Sequence, residues 1–297
     1  MQRRGPRTDV HLVSTFALLV TLAAGWMLSK PTLRFVDVGQ GAALLMFGRH
    51  HVVAVDSGPA GSAEALVRAL VEHDVDTVDL WIHTHFDADH VGGITRVLAG
   101  SDGEPDTTDD IEVIEAWDRG LDHLPRTDAA RVYTSALSSV RHGVEVGTSW
   151  TAPDMRLDVV GTPRVPDRQA ENTRGLALCV TLDDRRILIP GDLPSEQVLD
   201  AALACGPVDV LWVSHHGSRD GTSKAVLDAA DPTMLVVSAG FDNGYCHPAA
   251  DTMAMLEARV VWLTGAAGLH RDDPCGALVD VLSPTHHIVG SDVSIDP

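Results

Sequence analysis

Between Trp81 and Gly93 the chain reads WIHTHFDADHVGG, and five of these side chains are of types that bind metals: His83, His85, Asp87, Asp89 and His90. Neutral imidazole together with carboxylate is an ordinary ligand set for a divalent transition metal. Acids and histidines spaced every other residue on a turn leaving a strand can point into one cavity, and Gly92-Gly93 then open a helix. The residues alone leave open whether His83 or His85 begins the set. Farther along, Asp192 in PGDL, His215 and His216 in SHHGS, and His247 in NGYCHP supply groups of the same kind. Asp37, Asp56, the 85–90 stretch, Asp192 and His215-His216 all stand where an apolar run ends. In a layered fold, matching ends of successive strands converge, and that is how these groups would meet.

The elements that must position them begin at Leu33. LRFVDVG, AALLMF and HVVAVDSG read as strands, and AEALVRALVE (Ala63 to Glu72) has helical spacing with Ala63, Leu66, Val67 and Leu70 on one side. VDLWIH is the next strand, and a helix is expected from Gly92-Gly93 to Ala99. Residues 101–110, SDGEPDTTDD, form an acidic, turn-rich loop. IEVIEAW, MRLDVVG, LALCVTL and RILIPGD read as strands, the last two joined as a hairpin at Asp183-Asp184. Ser195 to Ala204 is helical, VDVLWVS a strand and Lys224 to Ala230 a short helix; TMLVVSAG, a helix from Ala249 to Ala258, VVWL and ALVDVLS complete the series. Hairpin runs separated by helices predict an α/β fold whose sheets are covered by helices on their outer faces.

HFDADHVGG (His85 to Gly93) resembles the HxHxDH motif of the metallo-β-lactamase superfamily in an HxDxDH variant. Anchoring the resemblance on Asp89-His90-Val91-Gly92-Gly93 makes His85 the first ligand and leaves His83 in the preceding strand as a satisfied structural histidine. DVGQG, VDSG, Asn172, PGDL, SHHGS and NGYCHP occur in order along the chain, and the series is similar to the metallo-β-lactamase domain at the C-terminal end of ComEC competence proteins and to related free-standing hydrolases. The similarity covers roughly residues 33–285 and does not include the polytopic membrane part of a competence channel, so a DNA channel is not expected. It implies an αββα sandwich with a metal site at one edge. His85, Asp87, Asp89 and His90 become metal ligands, Asp192 bridges two metals, and His215 is the preferred late ligand with His216 as second candidate. Asp89 and His247 are the implied catalytic residues, His247 donating a proton to a leaving group or binding the substrate anion, while Asp56 orients a loop or a ligand histidine. Two positions depart from the family. Cys246 stands where glycine is common, altering the turn or offering a thiol, and Asn172 stands where many members have a further histidine.

Two zinc ions are the implied cofactor, with manganese an alternative because the ligand set is rich in carboxylate. A metal pair suits phosphodiesters, since attacking and leaving oxygens both need charge stabilisation. The expected activity is therefore that of a phosphodiesterase or nuclease; alternatives are hydrolysis of small esters, lactones or β-lactams, or a metal-stabilised binding protein without turnover. Arg164, Arg168, Arg174 and Arg219 lie near motif loops and could grip a phosphate.

Composition limits the substrate and suggests the compartment. The 297 residues carry a formal charge of -20, and lysine occurs only at Lys30 and Lys224. Such a surface repels polyanions at long range, which counts against nucleic-acid binding through a broad basic face. Arg3, Arg4 and Arg7 precede an apolar run from Val10 to Ser29, the pattern of an export signal or a single N-terminal hydrophobic anchor helix. Residues 1–30 thus read as a signal peptide or membrane anchor and 31–297 as one hydrolase domain outside the cytoplasm, tethered to the membrane where the segment is not cleaved. Cys179, Cys205, Cys246 and Cys275 are consistent with one or two disulfides, although Cys179, inside LALCVTL, reads as a buried thiol.

Overall fold

The computed structural model describes residues 30–161, 170–240, 243–265, 286–288 and 292–296. The N-terminal apolar run, Arg164, Arg168, Cys275 and the expected strand ALVDVLS lie outside the described residues. Among those described, no helix is long and apolar enough to cross a membrane.

Among the described residues, fifteen strands build two sheets. They are β1 Thr32–Phe35, β2 Leu44–Phe47, β3 Val52–Val55, β4 Thr77–Ile82, β5 Glu112–Asp118, β6 Arg141–Gly143, β7 Ser149–Ala152, β8 Met155–Gly161, β9 Ala177–Leu182, β10 Arg185–Ile189, β11 Val210–Trp212, β12 Met234–Ser238, β13 Val260–Thr264, β14 His286–Ile288 and β15 Val293–Ile295. The first sheet has the order β15-β1-β2-β3-β4-β5-β6 and the second β14-β13-β12-β11-β10-β9-β8-β7. The helices are α1 Ala63–Val71, α2 Ala88–Val91, α3 Ile94–Leu98, α4 Asp128–Ala136, α5 Ser195–Cys205, α6 Lys224–Ala230 and α7 Ala250–Met255.

Strand alternation sorts the side chains into layers. Leu44 and Met46 of β2 face the interior between the sheets, where Phe35, Val53, Leu80 and Ile82 meet Leu157, Leu178, Val180, Ile187 and Trp212. Phe35 and Trp212 close this layer edge to face, with centroids 5.2 Å apart. Leu45 and Trp81 point the other way, onto Leu66, Val67 and Leu70 of α1, Ile94 and Val97 of α3, and Tyr133 of α4. On the far side, Leu188, Leu211 and Leu235 pack on Val198 and Ala201 of α5, Leu227 of α6 and Met253 of α7. The result is helix, sheet, sheet, helix. With both faces covered, the central strands can be apolar throughout, as LLMF of β2 is.

β3 through β6 run parallel, as do β10 through β14. Loops leaving the carboxyl ends of such strands gather at one edge, where ligands of open α/β sheets bind.

Several elements differ from expectation. The helix expected from Gly92-Gly93 to Ala99 is α3, Ile94–Leu98, but a turn that was not expected, α2, precedes it and carries Asp89 and His90. α4, β6 and β7 were not anticipated, nor was β15, which pairs with β1. Cys179 is not a thiol; it is joined to Cys205, tying β9 to the end of α5 over a sequence separation of 26. Closing a loop of that size stabilises by about 3 kcal/mol in the chain-entropy model.

Candidate metal centre

Asp56 follows β3 at φ 57 and is 1% exposed. Its carboxylate accepts from the Thr84 amide at 2.7 Å, the Thr84 hydroxyl at 2.9 Å and His90 Nδ1 at 2.7 Å. A carboxylate only accepts, so His90 carries its proton on Nδ1. The Thr84 hydroxyl spends its own proton on Asp56, and its oxygen then accepts from His85 Nδ1 at 3.1 Å. His216 donates from Nδ1 to the Ser238 carbonyl at 2.9 Å. These partners fix one tautomer in all three rings and leave each neutral ring a bare Nε2.

Those three nitrogens face one another. His85 Nε2 is buried with no hydrogen-bond partner among the described residues, and His90 Nε2 stands 3.3 Å from His216 Nε2. Asp192, 5% exposed on the turn after β10, lies in their midst: its carboxylate is 3.3 Å from His90 Nε2, 3.5 Å from His216 Nε2 and 3.9 Å from His85 Nε2. Asp89 adds an oxygen 3.3 Å from His216 Nε2, and Asp87, on the exposed rim, one 3.6 Å from His85 Nε2. Two groups of three, His85-His90-Asp192 and Asp89-His90-His216, have donor atoms within 4.8 Å of one another.

Lone pairs and carboxylates meeting in a buried space require positive charge. Without a metal, protons supply it. Burial would lower His90 and His216, but Asp192, joined by Asp56 at His90, outweighs burial; His90 is raised well above 6.5 and His216 to about 9. Burial would raise Asp192 and Asp89, and the facing histidines instead hold both below the usual carboxylate range. A divalent cation satisfies the same lone pairs, so metal and protons compete for them. The donors present fit a metal pair.

The connecting segments are tightly fitted. Gly191 has φ +56, and a Cβ there would stand 2.9 Å from Thr84 Cβ, so the Asp192 turn closes on the Thr84 relay only with glycine at that point. Glu171 accepts from the Phe86 amide at 3.1 Å and from Arg119 at 2.8 and 2.7 Å, while the Arg119 guanidinium lies 4.5 Å from the Phe86 ring centre. This buried pair ties the ligand loop of the first sheet to the turn bearing Asn172.

No family model matches the sequence. The chain is 26% identical over 245 residues to Recombination protein 2 of Haemophilus influenzae, covering 80% of this chain and 28% of that protein. It is 24% identical over 249 residues to ComE operon protein 3 of Bacillus subtilis (77% of this chain, 31% of that one) and 24% identical over 246 residues to Competence protein ComA of Neisseria gonorrhoeae (82% and 31%). The chain therefore spans about three tenths of the length of these relatives. Among solved structures, CmlA, a diiron β-hydroxylase from Streptomyces venezuelae, superposes with TM-score 0.56 at 14% identity, over 91% of this chain and 54% of that one. YhfI, a metallo-β-lactamase fold protein from Bacillus subtilis, superposes with TM-score 0.52 at 12% identity, over 90% of this chain and all of that one. The fold is that of the metallo-β-lactamases.

In this metallo-β-lactamase fold, His85, Asp89, His90, Asp192 and His216 come together, with Asp87 at the rim. The preference for His215 over His216 is reversed. Both residues adopt left-handed backbone, φ 53 and 54, which turns His216 inward and leaves His215 at the mouth. There His215 is 23% exposed, 3.3 Å from Asp220, 3.1 Å from Asn172 and 3.8 Å from Asp192. His247 is half-buried on the groove wall, its ring 5.2 Å from that of His215.

Other expectations also change. His83 is fully buried against Trp81 and Tyr133, and neither ring nitrogen has a hydrogen-bond partner among the described residues, unlike the satisfied histidine expected. Arg174 is buried and donates to the His123 carbonyl; Arg219 is exposed and paired with Asp251. Neither reaches into the site as a phosphate grip. Cys246 is disulfide-bonded, so no thiol is offered, and its φ of 59 keeps the conformation that glycine favours. Thr84, Ser238 and the Arg119-Glu171 pair were missed. Thr84 and Ser238 act through a hydroxyl relay and a backbone carbonyl, which leave no sequence signature.

Proposed function

We propose that the chain is an exported hydrolase that uses two divalent ions, zinc or alternatively manganese, to cleave phosphodiesters, nucleic acid among them. The supporting observation is the buried convergence of bare His85, His90 and His216 nitrogens on Asp89 and Asp192. When bound, the metal pair supplies a lowered water pKa near neutrality and offsets charge on the attacking and leaving oxygens of a phosphate. His85, Asp87 and Asp192 would hold one ion, and Asp89, His90 and His216, with Asp192, would hold the other. Asp56, Thr84 and Ser238 keep the nitrogen lone pairs aimed inward. His247 would contact the leaving oxygen: burial, with His215 and His216 beside it, lowers its pKa, so at neutral pH it is an uncharged donor, and its Nδ1 has no hydrogen-bond partner among the described residues. The Cys179-Cys205 disulfide supports export, since such bonds persist in oxidising compartments.

One observation favours a second reading. The groove over the centre, about 600 Å³, has no lysine or arginine among its described lining residues, which suits a small uncharged ester, lactone or β-lactam. Protein reconstituted with zinc or manganese is therefore assayed on bis-(p-nitrophenyl) phosphate, single-stranded DNA, a lactone and a β-lactam, with Asp89→Ala as control. Metal-dependent cleavage of the phosphodiesters supports the first reading, turnover of only the lactone or β-lactam the second, and no turnover a non-catalytic binding protein.

A further inference from the structure

Among the described Phe, Trp and Tyr residues, Tyr245 alone is exposed, at 72%. Its exposure is built in. The Asn243 side chain uses its whole amide on this turn: Oδ1 accepts from the amides of Tyr245 at 3.2 Å and His247 at 3.0 Å, and Nδ2 donates to the carbonyls of Gly240 and His247, each at 2.6 Å. Cys246, in the same turn, is disulfide-bonded. A large ring is thus held out in water by a pinned backbone, on the wall of the groove that also holds Asp87, Asp89, Asp192 and His216. The Tyr245 ring lies within 22° of parallel to that of His247, with centroids 6.1 Å apart, and His247 lies 5.2 Å from His215. A line of rings therefore runs from the rim toward the centre.

The rest of the groove is neutral or acidic. Gln40, Thr127 and Asn172 offer uncharged hydrogen bonds, and the acids present, Asp87, Asp89 and Asp192, belong to the metal centre. With no lysine or arginine along the described walls, phosphates lying away from the centre find no charged partner, and further affinity for a nucleic-acid strand has to come from its bases. We propose that Tyr245 is the platform of a base-stacking subsite, which selects phosphodiesters carrying unpaired bases; the inference rests on the phosphodiesterase reading above. Stacking on an aromatic side chain tolerates any base, because every base has a π-face. Bases inside a duplex are already stacked and paired, and withdrawing one costs energy, so single strands are preferred.

The test compares metal-loaded protein on single-stranded oligothymidylate and on an oligomer of equal length made of tetrahydrofuran abasic units, which keeps the phosphates and lacks the bases. Wild type is expected to cleave the base-bearing strand with a kcat/KM roughly 5- to 150-fold higher, the range of alanine-substitution effects for one stacked base. Tyr245→Ala brings that ratio near one, and Tyr245→Phe preserves it. Fluorescence anisotropy of the two oligomers in chelator, where no turnover occurs, is expected to give the same ordering of affinities. A ratio that survives in Tyr245→Ala, or a wild type that treats the two oligomers alike, overturns the subsite and leaves the phosphodiesterase reading intact. Failure of wild type to cleave either oligomer overturns both.

Discussion

His90 donates its Nδ1 proton to Asp56 across 2.7 Å, with both side chains buried. Asp56 also holds Thr84, and Thr84 holds His85, so one carboxylate orients two of the histidines at the centre. Asp56→Ala is expected to lower metal affinity by about 10- to 100-fold, the usual effect of losing such a partner. Competition against a chromogenic chelator measures this, and a near-native circular dichroism spectrum separates it from unfolding.

His216 and His215 are adjacent in sequence and opposite in role. His216→Ala removes a buried nitrogen from the Asp89-His90 group, and the expected result is one tightly bound metal fewer per chain. His215→Ala, at the mouth, keeps the wild-type metal stoichiometry. Elemental analysis after dialysis distinguishes them; equal loss from both variants would argue that the turn does not orient these rings differently.

His83 makes the fold acid-sensitive. Burial lowers its pKa to about 3, whereas an unfolded histidine titrates near 6.5. Between those values the unfolded chain binds the extra proton, so stability is full above about 6.5 and falls as pH drops toward 3, by about 1.4 kcal/mol per pH unit. His83→Leu is expected to flatten the wild-type decline in urea midpoint between pH 6.5 and 4. An unchanged slope would show that other groups govern acid unfolding.

Glu171→Gln leaves the Arg119 guanidinium buried beside Phe86 without its counter-charge. A loss of about 3–5 kcal/mol in unfolding free energy is expected. Adding Arg119→Met removes the stranded charge and restores part of that loss, which urea titration of the single and double variants would reveal.

Much of the fold was legible because apolar runs with polar ends mark buried strands, and the site groups stood at those ends. α4 was not: only Ala130 and Tyr133 of its nine residues are buried, and the segment DAARVYTSA is polar on balance, unlike the apolar α1. The roles of His215 and His216 depend on two left-handed backbone angles, which side-chain types do not reveal. Nor does local sequence disclose that Cys179 pairs with Cys205, because that contact exists only once α5 lies on β9. β15 is three residues long and is placed by its pairing with β1.

The donors of the centre come from both halves of the chain. His85, Asp89 and His90 follow β4 of the first sheet, whereas Asp192 and His216 follow β10 and β11 of the second. A chain whose two sheets have not yet docked has no complete set of donors and little capacity to capture an ion. Metal uptake therefore reports that the two sheets have met. Once bound, the ion acts as a late fastener across their seam, adding to the work needed to pull them apart in proportion to the logarithm of its concentration over its dissociation constant.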